Sequence, residues 1–249
     1  MLLENKVAVI YGGGGPIGGA VAHAFSREGA RVFLAGRTKE KLDRVADEIR
    51  SNSGTADTAI VDALDEQAVN KYVDAVVTQA GHIDISFNLI SYGDVQKPLL
   101  EITMDDFLQP IMNAMRTQFL TSRAAARHMV KRGSGVILAF GGDGPQTRPG
   151  LGGFKVALDA IEGLRRQWAI ELGRHGIRVV TLKTGGIAES LSDTEPEREE
   201  IIAGIEEATL LKRAATLADV GNVATFVASD YARTMTATDV NISCGAIID

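Results

Sequence analysis

The stretch Val7–Ala20, VAVIYGGGGPIGGA, decides the fold of this 249-residue chain. Its first five residues are apolar, as expected of a strand that is buried on both faces of a sheet. Gly12 and the glycines after it allow a sharp turn, and Pro16 suits the first position of a helix. A strand, a glycine-rich turn and a helix in this order allow close approach to a phosphate group. The sequence therefore predicts a dinucleotide-binding unit, with a flexible turn that binds no ligand as the alternative.

Short β-rich runs alternate with longer helical patterns along the chain. The alternation predicts one α/β domain over residues 1–249, a doubly wound Rossmann-type fold. Its seven-stranded, mostly parallel sheet is expected to have the order 3-2-1-4-5-6-7. The expected strands are Lys6–Tyr11, Arg31–Ala35, Ala56–Val61, Ile83–Asn88, Gly135–Phe140, Ile177–Leu182 and Asp239–Ser243. The expected helices are Ile17–Glu28, Lys39–Arg50, Asp65–Ala80, Asp105–Lys131, Leu151–Arg174 and Leu217–Ser229. The acidic segment Glu189–Glu207 is either a mobile, partly helical lid or a solvated surface helix.

Composition and charge exclude several classes of function. The net charge of -6 gives no overall cationic field, which argues against nucleic acid or an anionic membrane as a main partner. Metal-ligand spacings are absent, so no metal site is expected. Cys244 is the only cysteine, which fits a reducing compartment, and we find neither a signal peptide nor a membrane-spanning apolar run. We therefore expect a cytoplasmic protein that binds a small molecule.

The glycine-rich turn resembles that of the short-chain dehydrogenase/reductase family, which has the form T-G-x-x-x-G-x-G. Gly12 and Gly18 match the first and third glycines, and Pro16 occupies the middle position, where it removes one amide donor. The resemblance covers nearly the whole chain and implies a bound nicotinamide dinucleotide. The turn residues that it implies for the diphosphate are Gly12, Gly14, Gly15, Ile17 and Gly18.

The residues after the second expected strand favour NADP over NAD. Family members that prefer NAD usually place an aspartate where this chain has Gly36, whereas the Arg37 guanidinium suits a 2′-phosphate. Alternatively, Arg37 caps the end of the strand or bridges to Glu40 or Asp43 on the following helix. The other cofactor contacts that the resemblance implies are Thr38, Asp62, Ala63, Asn88, Leu89, Ile90, Thr184, Gly185, Gly186 and Ile187.

The catalytic residues of the family are missing at the matching positions of this chain. Family members use a serine, a tyrosine and a lysine, and the tyrosine and lysine lie four residues apart on one helix face. The resemblance places this pair at Phe154 and Leu158, and no Y-x-x-x-K occurs anywhere in the chain. Together with Ile161, Arg165 and Trp168, they follow a helical spacing that is mostly apolar. We expect Phe154 and Leu158 to lie side by side at the mouth of the nicotinamide pocket.

The two remaining family positions are altered as well. The serine position falls on Gly142, or on Gly141 if the loop is gapped. The supporting asparagine falls on Ala114, and Asn113 lies about 100° around the helix, so it is a weak candidate unless the helix bulges near Pro110. The residues that could supply a substitute acid are Asp143, Lys155, Gln146, Lys183, Tyr92 and Glu189.

Three functions are consistent with these observations. The first is a divergent NADP(H)-dependent oxidoreductase that acts on a carbonyl or alcohol group. The second is a cofactor-binding protein without redox turnover, such as a sensor, scaffold or partner subunit, and the third is a non-redox enzyme that reuses the pocket. The apolar residues expected around the pocket favour an apolar or aromatic small molecule. The resemblance also implies a homotetramer or homodimer that packs through the two longest helices.

Overall fold

Seven parallel strands form one sheet in the computed structural model, in the order β3-β2-β1-β4-β5-β6-β7. The structure describes residues 1–93, 95–141, 147, 149–192, 194 and 197–248. The strands are β1 (Val7–Tyr11), β2 (Arg31–Gly36), β3 (Thr55–Ile60), β4 (Ile85–Asn88), β5 (Gly135–Gly141), β6 (Ile177–Lys183) and β7 (Thr238–Asn241). The predicted fold class and strand order are confirmed, and every strand boundary lies within two residues of its prediction.

Helices cover both faces of this sheet. They are α1 (Pro16–Arg27), α2 (Lys39–Ser51), α3 (Glu66–Ala80), α4 (Met104–Arg132), α5 (Gly152–Leu172), α6 (Arg198–Glu207) and α7 (Leu217–Ala228). The apolar stripes of α1, α2 and α7 pack on one face in a core cluster that includes Phe25, Leu42 and Val220. Helices α3, α4 and α5 pack on the other face, where the cluster includes Val73 and Met129. Right-handed crossovers account for α1 and α2 on one face and for α3, α4 and α5 on the other, because the chain moves outward from β1 to β3 and then in the opposite direction to β6. Helix α7 joins β6 to β7 from the α1 face, so this last crossover does not follow the rule.

The acidic segment Glu189–Glu207 is partly helical. Helix α6 begins only at Arg198 and contains no buried residue, which agrees with a helix on the surface. Asp193, Glu195 and Pro196 lie outside the described residues. Among the described residues, no helix has the length and apolar character that a membrane span requires.

Pro110 does not interrupt α4. The helix runs from Met104 to Arg132 without a break, with Pro110 buried in its second turn. Asn113 therefore keeps the regular spacing of the helix, about 100° from the buried Ala114. A bulge near Pro110 would have turned Asn113 toward the direction of Ala114, but α4 has no such bulge. Asn113 therefore does not take the place of the family asparagine.

Candidate cofactor-binding and active site

The turn after β1 leaves no room for side chains at two of its glycines. Gly12 has a φ of +77°, and a Cβ added there would lie 2.6 Å from the Leu89 carbonyl oxygen. A Cβ on Gly18 would overlap the Gly12 carbonyl. The backbone of the turn is thus held against the ends of β1 and β4, at the carboxyl edge of the sheet. Ligands of open parallel sheets bind in this crevice, where neighbouring crossovers leave in opposite directions.

Unpaired N–H groups point from this turn at the start of α1. Gly15 is the N-cap and Pro16 the first helical residue, so no side chain caps the helix. The N–H groups of Ile17 and Gly18 have no backbone acceptor in the part of the chain that the structure describes. Two amide donors at a positive helix end suit an anion, and the glycines allow it to approach. The turn therefore fits the diphosphate of a dinucleotide, although Pro16 contributes no donor.

Arg37 is exposed at the end of β2. Within the described residues it forms no hydrogen bond or ion pair, and the alternative of a bridge to Glu40 or Asp43 is wrong. Asp43 is engaged elsewhere, because Lys39 and Thr58 both donate to its carboxylate and hold the pKa of Asp43 below its usual value. The Arg37 guanidinium is thus available to a ligand beside the glycine-rich turn.

The next two loops along the carboxyl edge are held by side-chain hydrogen bonds. Asp62 follows β3, and its Oδ1 accepts the Leu64 N–H at 3.0 Å. Asn88 ends β4, where its Oδ1 accepts the Ile90 N–H at 3.0 Å and its Nδ2 donates to Thr121 at 3.2 Å. These bonds fix two loops at which the resemblance implies contacts to the cofactor.

The segment Thr184–Ile187 forms the far wall of the crevice. The Thr184 N–H donates to the Gly141 carbonyl at 2.8 Å, so the wall is tied to the end of β5. Ile187 is buried in the core below it. A Cβ on Gly185 would lie 2.5 Å from the Ala246 Cβ, which shows that the C-terminal segment packs directly behind the wall.

An apolar cluster lies between this crevice and helices α4 and α5. We call it the Phe154 cluster. Its members are Tyr92, Ala114, Ala139, Ala157, Leu158 and Ile161, with Ile111, Met115 and Phe154 partly buried against them. Leu158 is only 6% exposed, and a Cβ on Gly141 would lie 3.2 Å from its Cδ2. The three positions that the resemblance assigns to asparagine, tyrosine and lysine therefore meet in one apolar cluster. Gly142, Asp143 and Gln146 lie outside the described residues.

Tyr92 places a hydroxyl inside this cluster. The hydroxyl donates to the Phe140 carbonyl at 3.1 Å and accepts from Gln118 Nε2 at 3.4 Å. Its ring lies 6.4 Å from that of Phe154, centroid to centroid. Burial raises the pKa of Tyr92 to about 12. The structure thus places a hydroxyl beside Phe154, although the sequence did not show which way Tyr92 would point.

The other candidate acids are held in different ways. Asn113 Nδ2 donates to the Tyr92 carbonyl at 2.9 Å, so Asn113 anchors the loop after β4. Lys155 pairs with Asp159 along α5. Glu189 accepts the Leu217 N–H at 2.7 Å, at the start of α7. Lys183 is buried at the end of β6 and pairs with Asp239.

Sequence reasoning missed one buried ion pair on α5. Arg165 Nε and Nη2 both donate to Glu162 Oε2 at 2.7 Å, and both residues are at most 5% exposed. A cavity of about 10 Å³ beside Arg165 is bordered also by Gln118, Ser122 and Trp168. Glu162 follows Leu158 by four residues, so the helical spacing alone places its side chain on the buried face. This spacing was the sequence signal that could have identified Glu162 as a buried carboxylate.

Comparisons with known proteins agree with this architecture. Residues 14–246 match the family described as enoyl-(acyl carrier protein) reductase. The chain is 31% identical to an uncharacterized oxidoreductase, YxbG, of Bacillus subtilis (strain 168), over 98% of this chain and 91% of the relative. It is 29% identical to gluconate 5-dehydrogenase of Gluconobacter oxydans (strain 621H), over 91% and 89% of the two chains.

Solved structures are also similar. Levodione reductase superposes with a TM-score of 0.87 at 27% identity, over 97% of each chain. NAD⁺-bound xylitol dehydrogenase gives a TM-score of 0.90 over 98% of this chain and 100% of that chain, and at 23% identity it shows the fold alone. The sheet order, the glycine-rich turn and these matches over almost the full length lead to one assignment: the chain belongs to the short-chain dehydrogenase/reductase family of oxidoreductases.

Proposed function

We propose that this chain is an NADP(H)-dependent oxidoreductase that acts on a carbonyl or alcohol group of a small molecule, with a degenerate catalytic site. The observation that supports the cofactor is the exposed, unengaged Arg37 beside a turn whose glycines admit a diphosphate. Gly36 precedes Arg37 and offers no carboxylate to repel a 2′-phosphate. A guanidinium without a hydrogen bond inside the protein does not have to break an internal contact when it binds a phosphate.

Each part of the crevice has a role in this proposal. The N–H groups of Ile17 and Gly18 bind the diphosphate, and Arg37 binds the 2′-phosphate. The Asp62 carboxylate accepts from the adenine amino group, and the segment Thr184–Ile187 borders the nicotinamide. The bound dinucleotide supplies or accepts the hydride, while the protein orients it against the substrate.

Proton transfer is where this chain departs from its family. Phe154 and Leu158 carry no titratable group, and the Ala114 side chain has no atom that can form a hydrogen bond with a water. Burial raises the pKa of Tyr92 to about 12, which makes its hydroxyl a weaker acid than that of an ordinary tyrosine, and this hydroxyl already donates to the Phe140 carbonyl. The proton that accompanies the hydride must therefore come from water, from the substrate, or from a group outside the Phe154 cluster.

A cofactor-binding protein without redox turnover is the second candidate function. The Phe154 cluster supports it, since a crevice that keeps its diphosphate turn but lines the reaction site with apolar groups can bind without reacting. For either function we propose an apolar or aromatic small molecule as the ligand. We also propose a cytoplasmic homotetramer or homodimer, on the single cysteine and on the family resemblance.

The proposal is tested by titrating the protein with NADPH and NADH, followed by cofactor fluorescence. Arg37→Ala should weaken NADPH binding by at least about tenfold, the effect of a lost charge-assisted hydrogen bond, and should leave NADH nearly unchanged. Arg44→Ala is the matched control, because Arg44 is an exposed arginine on the adjacent α2. Equal losses for the two cofactors would show that Arg37 does not read the 2′-phosphate. Absorbance at the NADPH band during incubation with ketones and aldehydes then separates the two candidate functions.

A further inference from the structure

A pocket of about 270 Å³ opens at the amino edge of the sheet, between the ends of α3 and α4. Asp84 precedes β4 at this edge, and Asn88 ends the same strand at the cofactor crevice. Because a strand rises about 3.3 Å per residue, the two edges lie about 13 Å apart here. We call this site the amino-edge pocket. Its walls include Val77, Ile83, His82, His128, Lys131 and Arg132.

Basic side chains line the amino-edge pocket. Among the described residues that border it, every polar side chain is basic. These side chains are accessible, since His82 is 32% exposed, His128 20% and Arg132 41%. Lys131 is exposed as well, and within the described part of the chain it forms no hydrogen bond or ion pair. Its ammonium therefore has three N–H donors free for a ligand.

Asp84 is a carboxylate next to this lining, and its side chain is only 7% exposed. Its Oδ2 accepts the Val7 N–H at 2.7 Å and pairs with His82 Nε2 at 3.0 Å. Its Oδ1 accepts from Arg132 Nη1 at 2.6 Å. Because both oxygens are engaged and buried, this carboxylate is largely shielded from an anion in the pocket.

Asp74 and the two helix ends are the other negative groups near the pocket. Asp74 lies on α3, and its Oδ1 pairs with His128 Nε2 at 2.8 Å and with Arg127 Nη2 at 3.3 Å. The carbonyl ends of α3 and α4 carry partial negative charge, which nearby basic side chains compensate. The N–H groups of Gly81 and Gly133 also cap carbonyls of the last turns of these helices. The lysine ammonium thus remains as positive charge without a partner in the pocket.

We propose that the amino-edge pocket binds a small anion that carries phosphate or carboxylate groups. An ammonium and a guanidinium bind both kinds of group, and the histidines add further ring nitrogens. Val77 and Ile83 offer an apolar wall to the carbon part of such a ligand. The volume lies near the lower end of the range for small-molecule sites, which suits an anion of the size of pyrophosphate or citrate. The site lies at the edge opposite the crevice, so the proposal does not depend on the cofactor function.

The four histidines of the chain provide a readout of where the anion binds. Protein with isotope-labelled histidine is titrated separately with sodium pyrophosphate and with citrate, at constant pH and ionic strength, and followed by NMR. We expect the imidazole signals of His82 and His128 to shift with a Kd of about 1 mM or lower. His23 pairs with Glu48 on the other face of the sheet, and its signal should not move. A response to only one of the two anions identifies the group that the pocket binds.

Variants of Lys131 test the charge in the pocket. Lys131→Met should weaken anion binding by about tenfold, as the loss of a charge-assisted hydrogen bond would. Thermal unfolding without the anion should change little, because this side chain is exposed. Lys131→Arg keeps a cation and should retain most of the affinity. Lys71→Met is the matched control, because Lys71 is exposed on α3 outside the residues that border the pocket, and its loss changes the net charge equally.

Three results would overturn the proposal. The first is that neither anion shifts the His82 and His128 signals even at about 20 mM, far above the expected Kd. The second is equal weakening by Lys131→Met and Lys71→Met, which would leave only a general effect of net charge. The third is loss of these shifts when NADPH is added in excess, which would place the anion in the crevice. If the chain binds no NADPH, the proposed cofactor function fails, and the histidine signals still decide whether the amino-edge pocket binds an anion.

Discussion

Leu158→Lys is the substitution that best tests whether the Phe154 cluster is closed and apolar. Leu158 is 6% exposed among apolar neighbours, so an ammonium placed there loses most of its hydration. Burial of this kind lowers the pKa of a lysine by about 3 units, which is equivalent to about 4 kcal/mol of lost stability at neutral pH. Urea denaturation at pH 7 measures this loss. Val156→Lys is the control, because Val156 is 43% exposed on the same helix and should change stability by only about 0.5 kcal/mol.

The pH dependence of the same variant has a definite sign. The folded-state pKa of the introduced lysine would lie below its unfolded value, so the unfolded state binds more protons between the two values. The loss of stability should therefore be complete at neutral pH and should shrink as the pH rises toward about 10, the ordinary lysine value. If Leu158→Lys costs no more than Val156→Lys and shows no such recovery, solvent reaches position 158. The assignment of a closed apolar cluster would then be wrong.

Three other predictions concern separate features of the molecule. Gly18→Ala should abolish dinucleotide binding in fluorescence titrations, because the added Cβ would overlap the Gly12 carbonyl. Gly163→Ala is the control: Gly163 lies on α5 with open space around it, so this variant should bind normally and gain up to about 1 kcal/mol of stability. Glu162→Leu should cost about 3–5 kcal/mol of stability in urea denaturation, because it leaves Arg165 charged and buried. Adding Arg165→Met should restore most of this stability. A double variant as unstable as the single one would contradict the prediction. Light scattering at micromolar concentration should give a homotetramer or homodimer, since α4 exposes Met104, Met112 and Phe119, and a monomer would refute it.

The fold was predictable because its strands are buried on both faces. VAVIY is buried at all five positions of β1, and the pattern of continuous apolar residues identifies such strands without an alignment. The limits of helix α6, by contrast, were not predicted. Ile201, Ile202 and Ile205 follow a helical spacing, but no residue of α6 is buried, and these three do not mark where the helix begins or ends.

The candidate site was predictable only where backbone conformation determines residue type. Gly12 and Gly18 are required by the turn, and the sequence shows them directly. The bond between Tyr92 and the Phe140 carbonyl joins residues 48 positions apart, and the pair of Lys183 with Asp239 joins two strands. Such contacts depend on the three-dimensional arrangement of the strands and on side-chain rotamers, about which local sequence patterns carry no information.

If the catalytic site is degenerate, as we propose, the Phe154 cluster offers a reason why several family positions would change together. A single polar group left among apolar neighbours keeps its desolvation cost, about 1–3 kcal/mol, once its partner is gone. Replacing all partners by apolar groups of fitting shape removes that cost. Ala114, Phe154 and Leu158 pack as such a set, and a lone lysine in place of Leu158 would meet none of the partners that stabilise it in the family. The diphosphate turn is held by glycines on other elements and shares no side chain with this set. Under the proposed function, cofactor binding can therefore persist while the reaction chemistry diverges.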